Sequence, residues 1–557
     1  MNSPHSPRPW LSLYPEGYLS DLIPEASSSL DHLRRTVRHY GHRPSLLYFE
    51  TVISYAELDE MSDALACAMM DLGIGKGDRV ALYLQNIPQF VIAQFGVWKI
   101  GAIVVPLNPM YREKELIYVF RDGSVRALIA MESLFRETAR GPANETGVAH
   151  IITTSELNFL DLKQPLPPIF KGVEKATGLG TLDFMDLVKR YRGRRPPEIR
   201  PSPEEVAYLT YTSGTTGSPK GAMNTHGNVA FTSEIYRHCW RLTPSDIMLG
   251  VAPLFHITGA IGHGGASVAS GIPIALHYRF DPKTVFHTIE RWKVTSTIGA
   301  ITVFIALMND PDIGKRDFLS FRMIHSGGAP VIPAVVDRFQ DLTGVYIHNV
   351  YGLTESTSPA LLVPLGLKAP VDPSTGAIAI GVPIPSTLVK IVDLEDPEKD
   401  LPPGEVGELT IKGPNIIPGY WNKPDETAHA IRRGWLFTGD VGTTDEKGWF
   451  YLLDRKKDMI IASGFKVWPR EVEDMIYLVP GVREVAVVGI PDPYRVETVK
   501  AFVALKDGYE GKVTEEEILA FCKEKMAAYK YPRQVEFVKE VPKTPTGKFL
   551  RRALRKQ

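Results

Sequence analysis

Residues 210–223 read TYTSGTTGSPKGAM, and this run decides more about the fold than any other part of the chain. A β-prone lead-in, Val206, Ala207, Tyr208 and Leu209, delivers the backbone to a loop of hydroxyls, glycines and one lysine. Small residues let the backbone come close to a ligand, while Thr212, Ser213, Thr215 and Thr216 offer O–H and N–H donors on either side of Gly214. Lys220 adds a point charge, which completes the chemistry of a polyphosphate cradle. A Walker-A loop needs Gly-Lys-Ser/Thr, and here Pro219 precedes Lys220 and Gly221 follows it. A flexible linker has a similar composition, but linkers rarely lie between an apolar strand and a Lys-Gly pair.

Upstream of this loop, helical and strand patterns alternate. Leu58, Met61, Leu65, Ala68, Met69 and Leu72 recur at helical spacing over 55–72, with Ser54 as N-cap and Gly73 and Gly75 as stops. Residues 79–84 read as a buried strand, 88–100 as a helix and 102–107 as a second strand. The rhythm returns downstream as helix 281–292, strand 295–298, helix 302–309 and strand 322–325. Such βαβ alternation predicts an α/β fold with largely parallel sheets and helices on their faces. Residues 137–200, with KQPLPP at 163–168 and RRPP at 194–197, read as an irregular surface excursion.

The texture changes after residue 380. Residues 388–392 and 407–412 alternate apolar and polar side chains, which predicts a small antiparallel β unit. The charged run DRKKD at 454–458 then precedes a compact α+β pattern: helix 469–477, strands 482–490 and 499–505, helix 514–526. The expected organisation is a large N-terminal domain, 1–454, followed by a small mobile C-terminal domain, 455–557.

Composition excludes several classes. At 557 residues the chain is too long for one compact core. Its apolar fraction of 44% and charged fraction of 23% are those of an ordinary soluble globular protein. A net charge of −1 offers nucleic acid no basic surface. Cys67, Cys239 and Cys522 lie far apart, fit neither a disulfide framework nor a metal site, and are expected to be reduced in a cytoplasmic setting. The first thirty residues lack the apolar core of a signal peptide. The most apolar later stretch, 257–276, carries His263 and a run of glycines, so no transmembrane segment is expected. Peripheral membrane contact and a homodimer stay open.

Four further segments combine reactive residues with turn-like sequence. SGGAP at 326–330 follows a strand, and its glycines leave room for a flat ligand. YGLTE at 351–355 offers an aromatic face, a hydroxyl and a carboxylate suited to Mg²⁺ beside phosphates. WLFTGD at 435–440 ends in Asp440, whose two oxygens suit the two hydroxyls of a ribose. PKTPTGK at 542–548 places Lys548 at the tip of a Pro/Gly-bracketed loop. Taken singly, each has a plain alternative: a turn, a solvated carboxylate, or part of a basic tail with Arg551, Arg552 and Arg555.

Their order along the chain resembles the adenylate-forming superfamily of acyl-CoA synthetases, luciferases and peptide-synthetase adenylation domains. The likeness runs from SYAEL at 54–58 to Lys548, and DRKKD followed by MIIASGFKVWPREVE at 459–473 is similar to the fatty acyl-CoA synthetases. The resemblance implies ATP, Mg²⁺ and coenzyme A. Thr212 through Lys220 would hold the β- and γ-phosphates, and Tyr351 would stack on adenine beside Gly328, Ala329 and Gly352. Thr354 would contact the α-phosphate and Glu355 would bind Mg²⁺. Asp440 and Arg455 would hold the ribose, Lys457 would be the hinge, Lys548 would reach the carboxylate and α-phosphate, and Gly464 would line the pantetheine channel. The likeness departs at Val496, where relatives commonly carry glycine; if that position needs φ > 0, a β-branched side chain would be strained there.

His256, in VAPLFHITG at 251–259, sits where CoA ligases of this superfamily often place a gating histidine or aromatic; the alternative is a packed, hydrogen-bonded histidine. Residues 254–258 offer no aspartate for an amino-acid ammonium, and Gly299, Ala300, Thr302, Gly327 and Leu353 are mostly small or apolar. The expected substrate is a medium- or long-chain fatty acid, with an aryl acid as runner-up. No carrier domain follows the Lys548 loop in this sequence, so free CoA is the expected acceptor, against transfer to a separate carrier protein. A non-catalytic acyl-nucleotide sensor would not need Lys548.

Overall fold

The computed structural model describes residues 8–212, 219–328, 331, 333–373, 375–462, 465–492, 496–543 and 549–555. Three sheets organise them. The first runs Leu182–Asp183, His150–Thr154, Val125–Met131, Arg79–Tyr83, Ile103–Pro106, Val206–Thr212, Lys220–Thr225, and every neighbouring pair is parallel except the last. The buried strands read as continuous apolar runs because helices cover them. The helix Pro88–Lys99 is buried on every side, which explains its lack of a polar face. Its last residue, Lys99, donates to Asp59 and Asp63 at 2.6 Å each. Removing one partner from such a buried pair typically costs ~3–5 kcal/mol.

The second sheet has fourteen strands and changes character along its length. Pro44–Tyr48, Ile274–Leu276, Met248–Leu249, Ser296–Gly299, Met323–Ser326 and Ile347–Tyr351 are parallel neighbours. From Ile347–Tyr351 onward the pairing is antiparallel, through Leu361–Leu362, Ala379–Pro383, Phe450–Arg455, Trp435–Thr444, Gly407–Lys412 and Leu388–Val392. The antiparallel unit expected from the sequence therefore exists, and it continues the parallel sheet rather than standing apart. Tyr351 sits where the direction switches.

The helix Tyr55–Asp71 begins at a capping box in which Ser54 Oγ accepts from Glu57 N and Glu57 Oε2 accepts from Ser54 N. Asp281 and Thr514 cap Pro282–Trp292 and Glu515–Lys525 in the same region of the chain that the sequence predicts. Residues 137–200 are more ordered than expected. His150–Thr154 is a sheet strand, and Phe184–Arg190 is a helix burying Phe184, Leu187 and Val188. Both elements are short, so they carry too few residues for a visible period.

Residues 460–537 build the third sheet, Phe465–Val467, Ile460–Ala462, Val496–Leu505 and Val482–Asp492, with Gln534–Phe537 beside Val496–Leu505. Pro469–Ile476 and Glu515–Lys525 share its apolar cluster, which includes Val472, Val487 and Ile518. Val496 pairs with Asp492 and Ala462 in extended backbone, a conformation β-branched residues favour. Cys239 and Cys522 are buried, Cys67 is half-buried, and all three are free thiols. Among the described residues no helix is long and apolar enough to cross a membrane.

A segment near the N-terminus straps two regions together. Trp10 packs on Gly448 and edge-on to Phe450, and Tyr14 donates to the Pro383 carbonyl at 2.7 Å. Farther along, Tyr18 donates to the Cys239 carbonyl and Glu234 accepts the N–H groups of Glu25 and Ala26.

Candidate active site

The glycine- and threonine-rich run at 210–223 spans the two strands of an antiparallel hairpin, Val206–Thr212 with Lys220–Thr225, in which Thr212 faces Lys220. A Cβ on Gly221 would lie 2.8 Å from Leu209 Cδ1, so any larger residue here would push the Leu209 side chain aside. Asn224 is fully buried, accepts from Thr210 Oγ1 at 2.9 Å, and donates to the Thr354 carbonyl at 2.9 Å and Thr357 Oγ1 at 3.0 Å. This one amide ties the short turn Thr354–Ser356 to the hairpin, bringing Thr354 and Glu355 beside Lys220. Losing one of its partners would orphan a buried polar group at ~1–3 kcal/mol.

Glu355 is half-buried, and its Oε1 accepts the Tyr420 hydroxyl at 2.8 Å. The Lys220 ammonium lies 5.2 Å from the centroid of the same Tyr420 ring. Among the described residues the second oxygen of Glu355 takes no hydrogen bond.

A second cluster forms around Asp440, which is 1% exposed. Asp440 and Arg455 are register partners on neighbouring strands, and Arg455 Nε stands 2.5 Å from Asp440 Oδ1. The Tyr351 hydroxyl donates to Oδ2 at 2.5 Å. Burial, reinforced by the Asp440 charge, pushes the Tyr351 phenol well above its ordinary range, so it stays a donor. The Asp440 carboxylate in turn raises Arg455 further. Gly439, at φ 70°, makes the left-handed turn that presents Asp440, and its N–H donates to Glu408 Oε1 at 3.0 Å. Glu408 also pairs with Lys456 at 3.0 Å, linking this turn to the segment after Arg455.

Gly327 packs against the strand of Tyr351, where a Cβ would meet the Val350 carbonyl at 2.6 Å. The exposed Gly328, at φ 78°, has open space around its Cα. Gly352 lets residues 358 and 359 approach to 3.3 Å of a notional Cβ. Together these glycines leave Tyr351 flanked by bare backbone, as a flat base needs.

His256 is half-buried and caps the turn Ile257–Gly259, its Nδ1 accepting from Thr258 N at 3.3 Å. Asn86 braces the run leading into it, accepting from Leu254 N and donating to the carbonyls of Gly250 and Ala252. Lys457 is exposed in the turn Lys456–Asp458. On either side of it, Asp454 takes Arg551 at 2.9 Å and Asp458 takes Arg555 at 3.3 Å, while Arg551 also reaches Glu473 at 2.7 Å. Ser213, Gly214, Thr215, Thr216, Ala329, Gly464 and Lys548 lie outside the described residues.

The structure thus gathers Thr212, Lys220, Thr354 and Glu355 in one cluster, and Gly328, Tyr351, Gly352, Asp440 and Arg455 in another, with Tyr351 and Thr354 only a turn apart in sequence. Sequence reasoning missed Asn224, Glu408 and Tyr420. Asn224 lies just past the Lys-Gly pair, and Tyr420 sits in PGYW at 418–421, a turn-like run whose aromatic pair was the available signal. The donor set fits a nucleoside triphosphate with its cation. It offers a carboxylate and an ammonium on one side, a buried carboxylate held by a guanidinium on the other, and glycine-lined backbone between.

Comparison with known proteins agrees with this chemistry. The sequence pattern of the AMP-binding enzyme family matches residues 33–421, and that of the AMP-binding enzyme C-terminal domain matches residues 471–548. A long-chain-fatty-acid–CoA ligase of Escherichia coli O6:H1 (strain CFT073) is 36% identical, with 98% of this chain and 97% of the relative covered. A long-chain-fatty-acid–CoA ligase of Bacillus subtilis (strain 168) is also 36% identical, covering 99% and 98%. Among solved structures, ATP-bound MatB from Rhodopseudomonas palustris superposes with a TM-score of 0.84 at 27% identity, over 95% of this chain and 98% of that one.

Proposed function

Since the chain belongs to the AMP-binding enzyme family and is an ATP-dependent acid–thiol ligase with CoA as co-substrate, we propose that its acid is a medium- or long-chain fatty acid and that the two clusters above form its adenylation site. The observation that carries the site assignment is the convergence of Tyr351 and Arg455 on the buried Asp440 one loop away from Glu355 and Lys220.

In this reading the acid attacks the α-phosphorus of ATP, pyrophosphate leaves, and CoA thiol then displaces AMP from the acyl-adenylate. Both encounters bring negative charges together, so the protein's task is to neutralise and align. Lys220 with Thr212 takes the outer phosphates, and Thr354 takes the α-phosphate. Each Asp440 oxygen, although one takes the Tyr351 hydroxyl and the other pairs with Arg455, keeps a lone pair for a ribose hydroxyl. Glu355 would hold Mg²⁺, which when bound withdraws charge from the phosphate oxygens. His256, braced through Asn86, would border the carboxylate end of the acyl group. Lys548 would supply the cation beside the reacting carboxylate, and Gly464 the narrow passage for pantetheine. Residues 1–454 and 455–557 would move as two bodies about Lys457, because the thiol and the Lys548 loop need the same face of the carbonyl.

The test is pyrophosphate release over fatty, aryl and amino acids, with and without CoA, followed by mass detection of the thioester. Alkyl acids should give both pyrophosphate and acyl-CoA. Thioester formed from aryl acids alone would refute the fatty-acid assignment, and adenylate without thioester would point to a carrier protein as acceptor.

A further inference from the structure

Residues 417–421 belong to none of the motifs read from the sequence, yet they bridge both sides of the phosphate cluster. Met223 N donates to the Gly419 carbonyl at 3.1 Å and Trp421 N to the Gly221 carbonyl at 2.8 Å, so this segment runs along the Lys220 strand. Ile417 N donates to the Glu355 carbonyl at 3.0 Å. Between these anchors stands Tyr420, 8% exposed, its own N–H bonded to Thr427 Oγ1 at 2.9 Å. A Cβ on Gly419, at φ 158°, would fall 2.5 Å from Thr427 Cγ2, so the chain must be bare there for the ring to reach the site.

Tyr420 touches both charged groups of the cluster. Its hydroxyl serves Glu355 and its ring serves Lys220, while among the described residues no ion pair joins Lys220 to Glu355 directly. That separation has a physical reason. A bare ammonium and carboxylate sharing a half-buried cleft attract strongly, and a direct pair would compete with both the phosphates and the cation. A neutral phenol satisfies the carboxylate through one hydrogen bond and the ammonium through its π face, and both groups keep their charge for ligands.

We infer that Tyr420 is a positioning residue for adenylation, an uncharged spacer that aims Glu355 at the cation and Lys220 at the phosphates and prevents the two from closing on each other. The inference rests on the reading of Glu355 and Lys220 given above.

Tyr420→Phe keeps the ring and its packing against Ala222 and Ile417 and removes only the hydroxyl. Tyr420→Leu removes the π face as well. The full-length variants would be compared with Glu355→Gln by calorimetric ATP titration over a range of Mg²⁺ without acid, by steady-state kinetics and by thermal melting. For Tyr420→Phe, the Mg²⁺ needed for half-maximal ATP binding should rise about 5–10-fold, with the melting temperature and the KM for the acid unchanged. For Tyr420→Leu, ATP affinity at saturating Mg²⁺ should fall a further ~3–5-fold. If Glu355→Gln raises the Mg²⁺ requirement and Tyr420→Phe does not, the role of Tyr420 is overturned. If Glu355→Gln leaves that requirement unchanged, the cation reading of Glu355 falls and this inference with it. Equal loss of melting temperature, ATP affinity and acid KM in both tyrosine variants would reduce Tyr420 to packing.

Discussion

Asp440 accepts from a phenol and pairs with a guanidinium at once, so its orientation is fixed before any nucleotide arrives. In Asp440→Asn, one acceptor oxygen becomes an N–H₂ donor facing either Arg455 or Tyr351, and under the proposed ribose role the nucleotide would lose a charged acceptor. The KM for ATP should rise about 10–100-fold, the worth of a hydrogen bond to a charged group, with the KM for the acid unmoved. Initial rates at varied ATP and acid decide this; a matching rise in the acid KM would count against a ribose role. Asp440, Tyr351 and Glu355 were legible in the sequence because each sits in a short turn-like motif. Their bonding was less so: Tyr351 was expected only as a stacking face, and its hydroxyl proves to be the group that holds Asp440. Asn224 and Tyr420 act across strands whose pairing no local pattern encodes.

Elements announced by both a cap and a period read clearly. Tyr55–Asp71 has its Ser54–Glu57 box, and Pro282–Trp292 has Asp281 ahead of a proline. The short strand His150–Thr154 and the seven-residue helix Phe184–Arg190 did not, because neighbours hold them rather than any pattern of their own. The turn Lys456–Asp458 is the element on which domain movement would depend, and Asp454 and Asp458 anchor Arg551 and Arg555 on either side of it. Proline suits the φ of such a turn but removes freedom to rotate. Lys457→Pro should therefore leave acid-dependent pyrophosphate release intact and slow thioester formation about tenfold or more, equivalent to ~1.4 kcal/mol on the conformational step. Single-turnover assays of each half-reaction measure this, and unchanged thioester formation would remove Lys457 as the pivot.

Across the molecule, several histidines are buried with no ion-pair partner among the described residues. Burial holds His226, His277 and His348 down to about 4 and His263 to about 3. Between those values and the ordinary 6.5, the unfolded chain binds protons that the folded chain does not, so stability rises with pH in this window. Acidification from pH 7 to pH 5 should lower the melting temperature, each such histidine contributing up to ~2 kcal/mol of destabilisation. A melting temperature flat between pH 7 and 5 would contradict burial of these rings in the neutral form. The continuous sheet spreads the same dependence over distant parts of the chain, since His348 belongs to the strand Ile347–Tyr351 and His263 accepts from Ile298 N. The strap near the N-terminus sets an order of events for the ribosome. Trp10 leaves it early, but Gly448 and Phe450, on which it packs, follow more than four hundred residues later. At 5–20 residues per second that interval is about 20–90 s, during which the indole lacks its contacts with Gly448 and Phe450. Nascent chains stalled before residue 448 should therefore expose Trp10 to chaperones and proteases, and chains released beyond Phe450 should conceal it.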